Sequence, residues 1–275
     1  MNRADLLILL SIILFTSSCK KDEYGTKIVV PDNVSSIQKA IKVADPYDTI
    51  LIRPGEYFEH DINVNKPVYI TSEYKTLADT SIIRKTIING NKESRVFHIS
   101  NVTDTIKMNG FTITGGFIGK KDEVSAEADN GGGIFLDNSK LIISNLVISD
   151  NLAFKPNQNG EGGGLYINES FISIDECKII NNRSIGNGGA FLCKGSTLSL
   201  HDSDISNNRS DRDGVILIWY SDLYFGNVLM QNNTGPIISM IYSCSGIFEN
   251  VIVTGNSFKF DSSQITFTNC NIPGQ

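Results

Sequence analysis

The sequence contains none of the short motifs that mark common nucleotide or redox sites. It has no phosphate-binding loop, no dinucleotide fingerprint and no C-x-x-C pair. The formal net charge is −6 and no basic stripe is present, which argues against a nucleic-acid partner. Because these motifs are missing, we expect no bound cofactor, with Ca²⁺ as the alternative. No helical periodicity is found over most of the chain.

Cysteine is scarce, and its spacing favours packing over cross-linking. Five cysteines are present. Cys19 belongs to the N-terminal segment described below, and Cys177 and Cys270 fall in a predicted interior column. We expect the four cysteines after Cys19 to act as small buried apolar side chains, with disulfides as the alternative.

A repeat of about 25 residues runs from Gly131 to Asn256. Three copies open on glycine, as Gly-Gly-Gly-Ile-Phe-Leu (131–136), Gly-Gly-Gly-Leu-Tyr-Ile (162–167) and Gly-Gly-Ala-Phe-Leu (188–192). The copies close on asparagine at 151, 182, 208, 233 and 256, which are 31, 26, 25 and 23 positions apart. Units of this length bury their apolar residues only by stacking on one another.

Aligned on the closing asparagines, the copies place aliphatic residues in columns with the two-residue period of strands. One column is Leu141, Ile172, Leu198 and Leu223; others are Ile143, Ile174, Leu200, Phe225 and Phe248, and Ile148, Ile179, Ile205, Met230 and Val253. About three strands per turn predict an all-β, single-stranded right-handed parallel β-helix, with successive turns about 4.8 Å apart. The asparagine column predicts a ladder at a corner, where asparagine tolerates the left-handed conformation.

The region before the repeats predicts a cap on the coil. Ser35 and Gln38 read as a capping box, and Ile37, Ala40, Ile41 and Ala44 form the apolar stripe of a short helix. Ser-Ile-Gln-x-Ala-Ile, followed by Asp-Thr-Ile and Pro-Gly-x-Tyr, resembles the start of right-handed parallel β-helix proteins of the pectate lyase-like superfamily. In that superfamily such a helix plugs the N-terminal end of the coil.

The first residues resemble an export and anchoring signal. Leu6 to Phe15 is an apolar run too short to span a bilayer. Thr16-Ser17-Ser18-Cys19 resembles a bacterial lipoprotein signal with Cys19 as the lipidated residue; an ordinary cleaved signal peptide is the alternative. The predicted organisation is a signal peptide (1–19), a tether (20–27) and a β-helix (28–275), with its cap at about 31–48 and regular coils at about 106–275. The resemblance implies a lipid anchor in the bacterial outer membrane, surface-exposed or periplasmic.

Two insertions interrupt the repeat, at Phe117–Asn130 and Phe154–Glu161. Both leave the repeat just before a Gly-Gly corner, so we expect both to emerge on the same edge of the coil. Loops that share an edge can wall a groove.

An outward aromatic column is the first candidate ligand-binding feature. Phe135, Tyr166, Phe191 and Ile216 align in one column, and strand alternation sends them to the outer face. A row of aromatic rings can stack on sugars. The alternative is that the insertions fold over this face and bury it.

Two stacked arginines are the second candidate. Arg183 and Arg209 follow the asparagine ladder in successive copies, and Asp211 is near enough to supply a counter-charge. Arginine binds carboxylate or sulfate in bidentate fashion, so the pair could grip an acidic glycan. The alternative is a solvated corner.

Glu176 and Asp202 are the remaining catalytic candidates. Their carboxylates could lie about 5 Å apart, which is the separation that retaining glycosidases use. Asparagine occupies the same column in other copies, so the alternative is a turn.

The repeats Ile-Ile-Asn-Asn-Arg-Ser-x-Gly-x-Gly-Gly-Ala-Phe resemble those of polymorphic outer-membrane proteins and related adhesins over roughly Phe111 to Asn233. The motifs that mark polygalacturonase-like enzymes, pectin methylesterases and the alginate and chondroitin lyases are not found. The leading hypothesis is a non-catalytic surface lipoprotein that binds polysaccharide or a cell-surface glycan. The alternatives are a lyase or hydrolase of a uronic-acid-containing polymer and an adhesin-like spacer.

Overall fold

The computed structural model of the protein describes residues 25–119, 130–154, 160–235, 237–255 and 258–273. Over these ranges the chain forms four sheets, and every strand pairing within them is parallel. Each regular coil adds one strand to each of three long sheets and then stacks on the previous coil. The predicted right-handed parallel β-helix is confirmed.

The described strands belong to three long sheets and one short sheet. Sheet A contains β1 (Lys27–Val30), β2 (Thr49–Ile52), β5 (Tyr69–Ser72), β8 (Thr105–Asn109), β12 (Lys140–Ser144), β16 (Phe171–Asp175), β20 (Thr197–His201), β24 (Asp222–Gly226), β27 (Ser245–Glu249) and β30 (Gln264–Thr268). Sheet B contains β3 (Gly55–Phe58), β6 (Thr86–Asn89), β9 (Thr112–Thr114), β13 (Val147–Ser149), β17 (Lys178–Ile180), β21 (Asp204–Ser206), β25 (Leu229–Gln231) and β28 (Ile252–Thr254). Sheet C contains β4 (Ile62–Val64), β7 (Phe97–Ser100), β11 (Ile134–Asp137), β15 (Leu165–Asn168), β19 (Phe191–Lys194), β23 (Asp213–Trp219), β26 (Ile237–Tyr242) and β29 (Phe258–Asp261). The short sheet D contains β10 (Phe117–Ile118), β14 (Leu152–Ala153), β18 (Arg183–Ser184) and β22 (Arg209–Ser210).

The aliphatic columns form the interior as predicted. Leu141 pairs with Ile172, which pairs with Leu198, and all three are fully buried. Farther along the coil Phe225 stacks on Phe248, with ring centroids 4.4 Å apart. The hydrophobic core is therefore one continuous column of side chains along the coil axis.

The asparagine ladder is present and entirely internal. Asn151, Asn182, Asn208 and Asn233 are buried. In the middle rungs the side-chain oxygen accepts both the backbone N–H and the side-chain amide of the previous rung, at 2.9–3.1 Å. The ladder satisfies polar groups that would otherwise be orphaned at a bend.

One detail of the ladder prediction was wrong. The ladder asparagines do not themselves take the left-handed conformation; the residue before each one does. Those residues are Asp150, Asn181, Asn207 and Asn232, with φ of 55–57°. The turn therefore needs two polar residues in succession, one that tolerates positive φ and one that bonds inward.

A second polar ladder occupies the corner between sheets C and A. Its rungs are Ser139, Ser170, Ser196, Ser221, Cys244 and Ser263. The backbone N–H of each rung donates to the Oγ or Sγ of the next, at 3.0–3.5 Å. Cys244 thus occupies a serine position, which explains why its thiol is buried.

Helix α1 (Ile37–Val43) packs against the first strands of sheets A and C. Its N-cap is Ser36, one residue later than predicted, and the Ser36 Oγ accepts the N–H of Lys39 at 3.2 Å. Gln38 does not close a capping box; it bonds the backbone of Asn63 in β4 instead. The Glu59 carboxylate accepts the N–H groups of Ile37 and Gln38, at 2.8 and 3.0 Å.

Two further short helices, α2 (Tyr74–Leu77) and α3 (Ser81–Lys85), lie between β5 and β6. Within the described residues, no helix is both long and apolar enough to cross a membrane. Cys19 and the predicted export segment lie outside the described residues.

The two insertions leave the coil at one edge, as predicted. Phe117 in β10 pairs with Leu152 in β14, and Asn130 bridges Glu161 where the chain returns. Residues 120–129 and 155–159, which make up the centres of both insertions, lie outside the described residues. The ends of both insertions therefore join sheets D and C.

Candidate functional site

The outer face of sheet C carries two columns of side chains because alternate residues of each strand point away from the core. The first column is His98, Phe135, Tyr166, Leu192 and Leu217. The second, two residues farther along each strand, is Asp137, Asn168, Lys194, Trp219, Tyr242 and Asp261. We call this surface the aromatic face.

Phe191 and Ile216 were misplaced by the sequence analysis. Phe191 pairs with Leu165, not with Tyr166, and Ile216 pairs with Phe191. Both side chains point inward and are fully buried. Ala190 occupies the place of the third glycine of the opening triplet, so Phe191 falls one position earlier in the strand than Phe135 does.

Phe135 points outward as predicted, but it is covered. Its ring stacks on Tyr166 with centroids 5.5 Å apart, and His98 meets it edge-on at 5.1 Å. The Arg95 guanidinium lies 4.7 Å from the ring centroid. Only 5% of Phe135 is exposed, so it supports Tyr166 and has little surface of its own to offer a ligand.

The neighbours of Phe135 also change a titratable group. Burial lowers the pKa of His98, and the positive charge of Arg95 lowers it further. Both effects favour the neutral form of His98, which packs on Phe135 at this end of the aromatic face.

Farther along the coil, the aromatic face becomes a groove. Leu192 and Leu217 are only 1% exposed, and Tyr166, Trp219 and Tyr242 pack against them. The rings of Trp219 and Tyr242 lie 6.5 Å apart at 50°. A depression of about 490 Å³ opens here, lined by aromatic residues and by Lys194 and Asp261.

Tyr220 displays a further ring at the corner beside this groove. Its side chain is exposed, with 68% of the residue accessible, and its backbone adopts the left-handed conformation, with φ of 51°. Bulky residues rarely adopt that conformation, and glycine or asparagine holds the corresponding corner in several other coils. A second depression of about 360 Å³ adjoins the first, and Tyr220 lines both.

Trp219, Tyr220 and Tyr242 were not predicted from the sequence. These residues belong to the less regular coils, where no Gly-Gly pair marks the start of the strand. One signal was available, because Trp219 is the only tryptophan of the chain and lies two positions after the aligned Leu217.

Arg183 and Arg209 are brought together as predicted. They are paired residues of β18 and β22 in sheet D. Asp211 bridges them, accepting from Arg183 Nη2 at 2.5 Å and from Arg209 Nε at 2.8 Å. Desolvation raises the pKa of Asp211, but the hydrogen bonds and the positive charges of both arginines together lower it by more. The two guanidiniums already hold one carboxylate.

Glu176 and Asp202 lie in a column of left-handed corner residues between sheets A and B, with φ of 49° and 45°. Asp202 accepts the side-chain amide of Asn227 at 2.9 Å, and Asn250 repeats this bond to Asn227. Glu176 is exposed. The geometry is that of a polar turn column.

Three of the four described thiols are buried in the coil. Cys177, Cys193 and Cys244 are buried and free, and Cys270 is free and partly buried. Burial raises the pKa of Cys177 to about 12. Among the described residues, no group of three or more His, Cys, Asp or Glu side chains is placed to hold a metal ion.

Comparison with known proteins gives a likeness of fold. No sequence family and no curated protein matches the chain. The structure of rice weevil pectin methyl esterase is similar over 100% of this chain and 97% of its own, at 10% identity and a TM-score of 0.49. The pectate lyase Pel9A is similar over 91% of this chain and 80% of its own, at 13% identity and a TM-score of 0.44. An alginate lyase from Paenibacillus sp. is similar over 85% of this chain and 95% of its own, at 12% identity and a TM-score of 0.38.

Proposed function

We propose that the protein binds a glycan chain on the outer face of sheet C. The observation that carries the proposal is the groove at Trp219 and Tyr242, where two partly exposed rings, packed on buried leucines, border a depression that is also lined by serine and charged side chains. Sugars present an apolar C–H face and a polar hydroxyl rim, so they suit a site of this composition.

The charges at the groove support the same proposal. Lys194, Trp219, Tyr242 and Asp261 follow one another in register on four successive coils. A cation therefore lies on one side of the aromatic pair and a carboxylate on the other. These side chains can hydrogen-bond hydroxyls on both sides of a stacked ring.

Cleavage of a uronic-acid-containing polymer is the weaker alternative. It requires Arg183 or Arg209 to neutralise a substrate carboxylate, yet Asp211 already engages both.

We further propose that a lipid on Cys19 holds the glycan-binding coil at the outer membrane. The lipid anchor is tested separately: a Cys19→Ser variant should be released from the membrane and appear in the soluble fraction.

Tryptophan fluorescence tests the binding proposal directly because Trp219 is the only tryptophan in the chain. The protein is titrated with each member of a panel of neutral and acidic polysaccharides. We expect the Trp219 emission to shift when one of them binds. Trp219→Ala should weaken binding at least ~10-fold in calorimetry, equivalent to about 1.4 kcal/mol. Phe171→Ala, which removes an exposed ring from sheet A, is the matched control and should bind normally. Unchanged emission with every polysaccharide would reject the proposal.

A further inference from the structure

A short polar ladder runs along the edge of sheet C, just before the glycine turn of each coil. Asn130 bridges Glu161, and the Asn130 Oδ1 accepts the N–H of Glu161 at 3.2 Å. The N–H of Gly162 donates to the carbonyl of Asn187 at 3.0 Å, so Asn187 is the next rung. Glu161 is thus an acid between two amides.

The Asn187 side chain is only half satisfied. Its Nδ2 donates to Glu161 Oε1 at 3.3 Å, while its Oδ1 is buried and has no hydrogen-bond partner among the described residues. In the next coil the N–H of Gly188 donates to the carbonyl of Gly214, and glycine has no side chain that could donate to Asn187.

Reversing the amide does not remove the problem. An exchange of Oδ1 and Nδ2 would set two oxygens 3.3 Å apart and leave the buried NH₂ group without an acceptor. In either orientation, the buried oxygen lacks a hydrogen-bond donor among the described residues, and the carboxyl of Glu161 is bonded to the same amide. A protonated carboxyl supplies that donor.

We propose that Glu161 is a neutral carboxylic acid that shares its hydrogen with Asn187 Oδ1, and that this pair forms a hydrogen-bonding edge of the aromatic face. An acid and a primary amide can form two parallel hydrogen bonds, and both then lack net charge. Its role in ligand binding rests on the proposed glycan-binding function; the protonation itself does not.

The surroundings of the carboxyl are consistent with the neutral form. Burial raises the pKa of Glu161, and this effect exceeds the lowering by the Asn187 bond and by the positive charges of Lys194 and Arg212. Lys194 also lines the groove. A Cβ on Gly162 would come within 2.9 Å of the Tyr166 Cα, so the turn after Glu161 lies against the strand that carries Tyr166.

Direct titration tests the protonation. In protein with ¹³C-labelled glutamate, the Glu161 carboxyl resonance is assigned as the one missing from Glu161→Gln. We expect its midpoint to lie above the ordinary 4.5. A Glu161 midpoint at or below 4.5 overturns the proposal.

Stability against pH gives a second readout. A raised folded-state pKa stabilises the fold at low pH, and this contribution is lost as the pH rises through that pKa. The thermal midpoint of the natural protein should therefore fall relative to that of Glu161→Gln as the pH increases. Glu169→Gln, which changes an exposed side chain at a corner of the same coil, is the control for the loss of a carboxyl. A constant gap between the natural protein and Glu161→Gln would contradict the proposal.

The binding arm separates the two proposals. Where a glycan from the panel binds, the affinity of the natural protein should drop above the Glu161 midpoint, and that of Glu161→Gln should stay level. If no glycan binds but Glu161 titrates high, only the glycan-binding proposal fails. If glycan binds without this pH dependence and Glu161 titrates normally, only the acid–amide pair fails.

Discussion

Single polar residues decide how this coil turns. Asn182 shows this most fully: its Nδ2 donates to the Ile148 carbonyl at 2.8 Å and to Asn208, while its Oδ1 accepts from Asn151. The second polar ladder, whose rungs are mostly serine, also bonds buried backbone groups, with a shorter side chain and at the corner between sheets C and A. Buried backbone groups at bends have no strand partner, so each corner needs its own internal acceptor or donor.

We expect Asn182→Ala to destabilise the protein by at least about 2 kcal/mol, because it orphans buried groups on neighbouring coils. Urea unfolding followed by circular dichroism measures the change. Asn181→Gly is the matched control: Asn181 is exposed and has φ of 57°, which glycine adopts freely, so its effect should stay within about 0.5 kcal/mol. Equal stabilities for the two variants would refute the role of the ladder.

At the scale of elements, position within the coil decides which side chains can reach a ligand. Sheet C offers its outer face, and the groove at Trp219 forms where aromatic residues of consecutive strands meet. The strands of sheet D are only two residues long, and its paired arginines share the single carboxylate of Asp211. A charged side chain on sheet C, such as Lys194, therefore borders an open groove, whereas the arginines of sheet D are already paired.

Helix α1 is attached to the coil by a side chain remote in sequence. Glu59→Ala should remove the acceptor for the first N–H groups of α1 and destabilise the helix end by about 1 kcal/mol. The amides of Ile37 and Gln38 should then exchange faster in NMR. Glu56→Ala is the control, since Glu56 bonds Asn89 in sheet B and not α1; unchanged exchange in Glu59→Ala would show that another group caps the helix.

At the scale of the molecule, the protein is a stack in which each coil contacts its neighbours. Pairings run strand to strand along each sheet, so stability is a sum of coil and interface contributions. Within the described residues β30 pairs on one side only, and its side chains alternate between exposed and partly buried.

Hydrogen exchange should therefore vary along the axis. Mass spectrometry should find the slowest amides in strands β13, β17 and β21, which have partners on both sides, and faster exchange in β29 and β30. The aromatic groove lies between these regions, in β23 and β26. Uniform exchange in all coils would show that the stack opens only as a whole.

The repeat pattern alone established the coil, its aliphatic columns, the asparagine ladder at a corner and the pairing of Arg183 with Arg209. Stacking requires like residues to lie over like, so a spacing of about 25 residues translates directly into three-dimensional neighbours. Alignment failed where copies differ in length or in glycine number, as at Phe191.

Other features depended on contacts between segments that no local pattern records. The cover over Phe135 comes from Arg95 and His98, the cap of α1 comes from Glu59, and the groove joins residues from four coils. The half-satisfied amide of Asn187 arises because the next coil presents Gly214. Burial and hydrogen-bond satisfaction are properties of the whole packed chain, so only the folded structure reveals them.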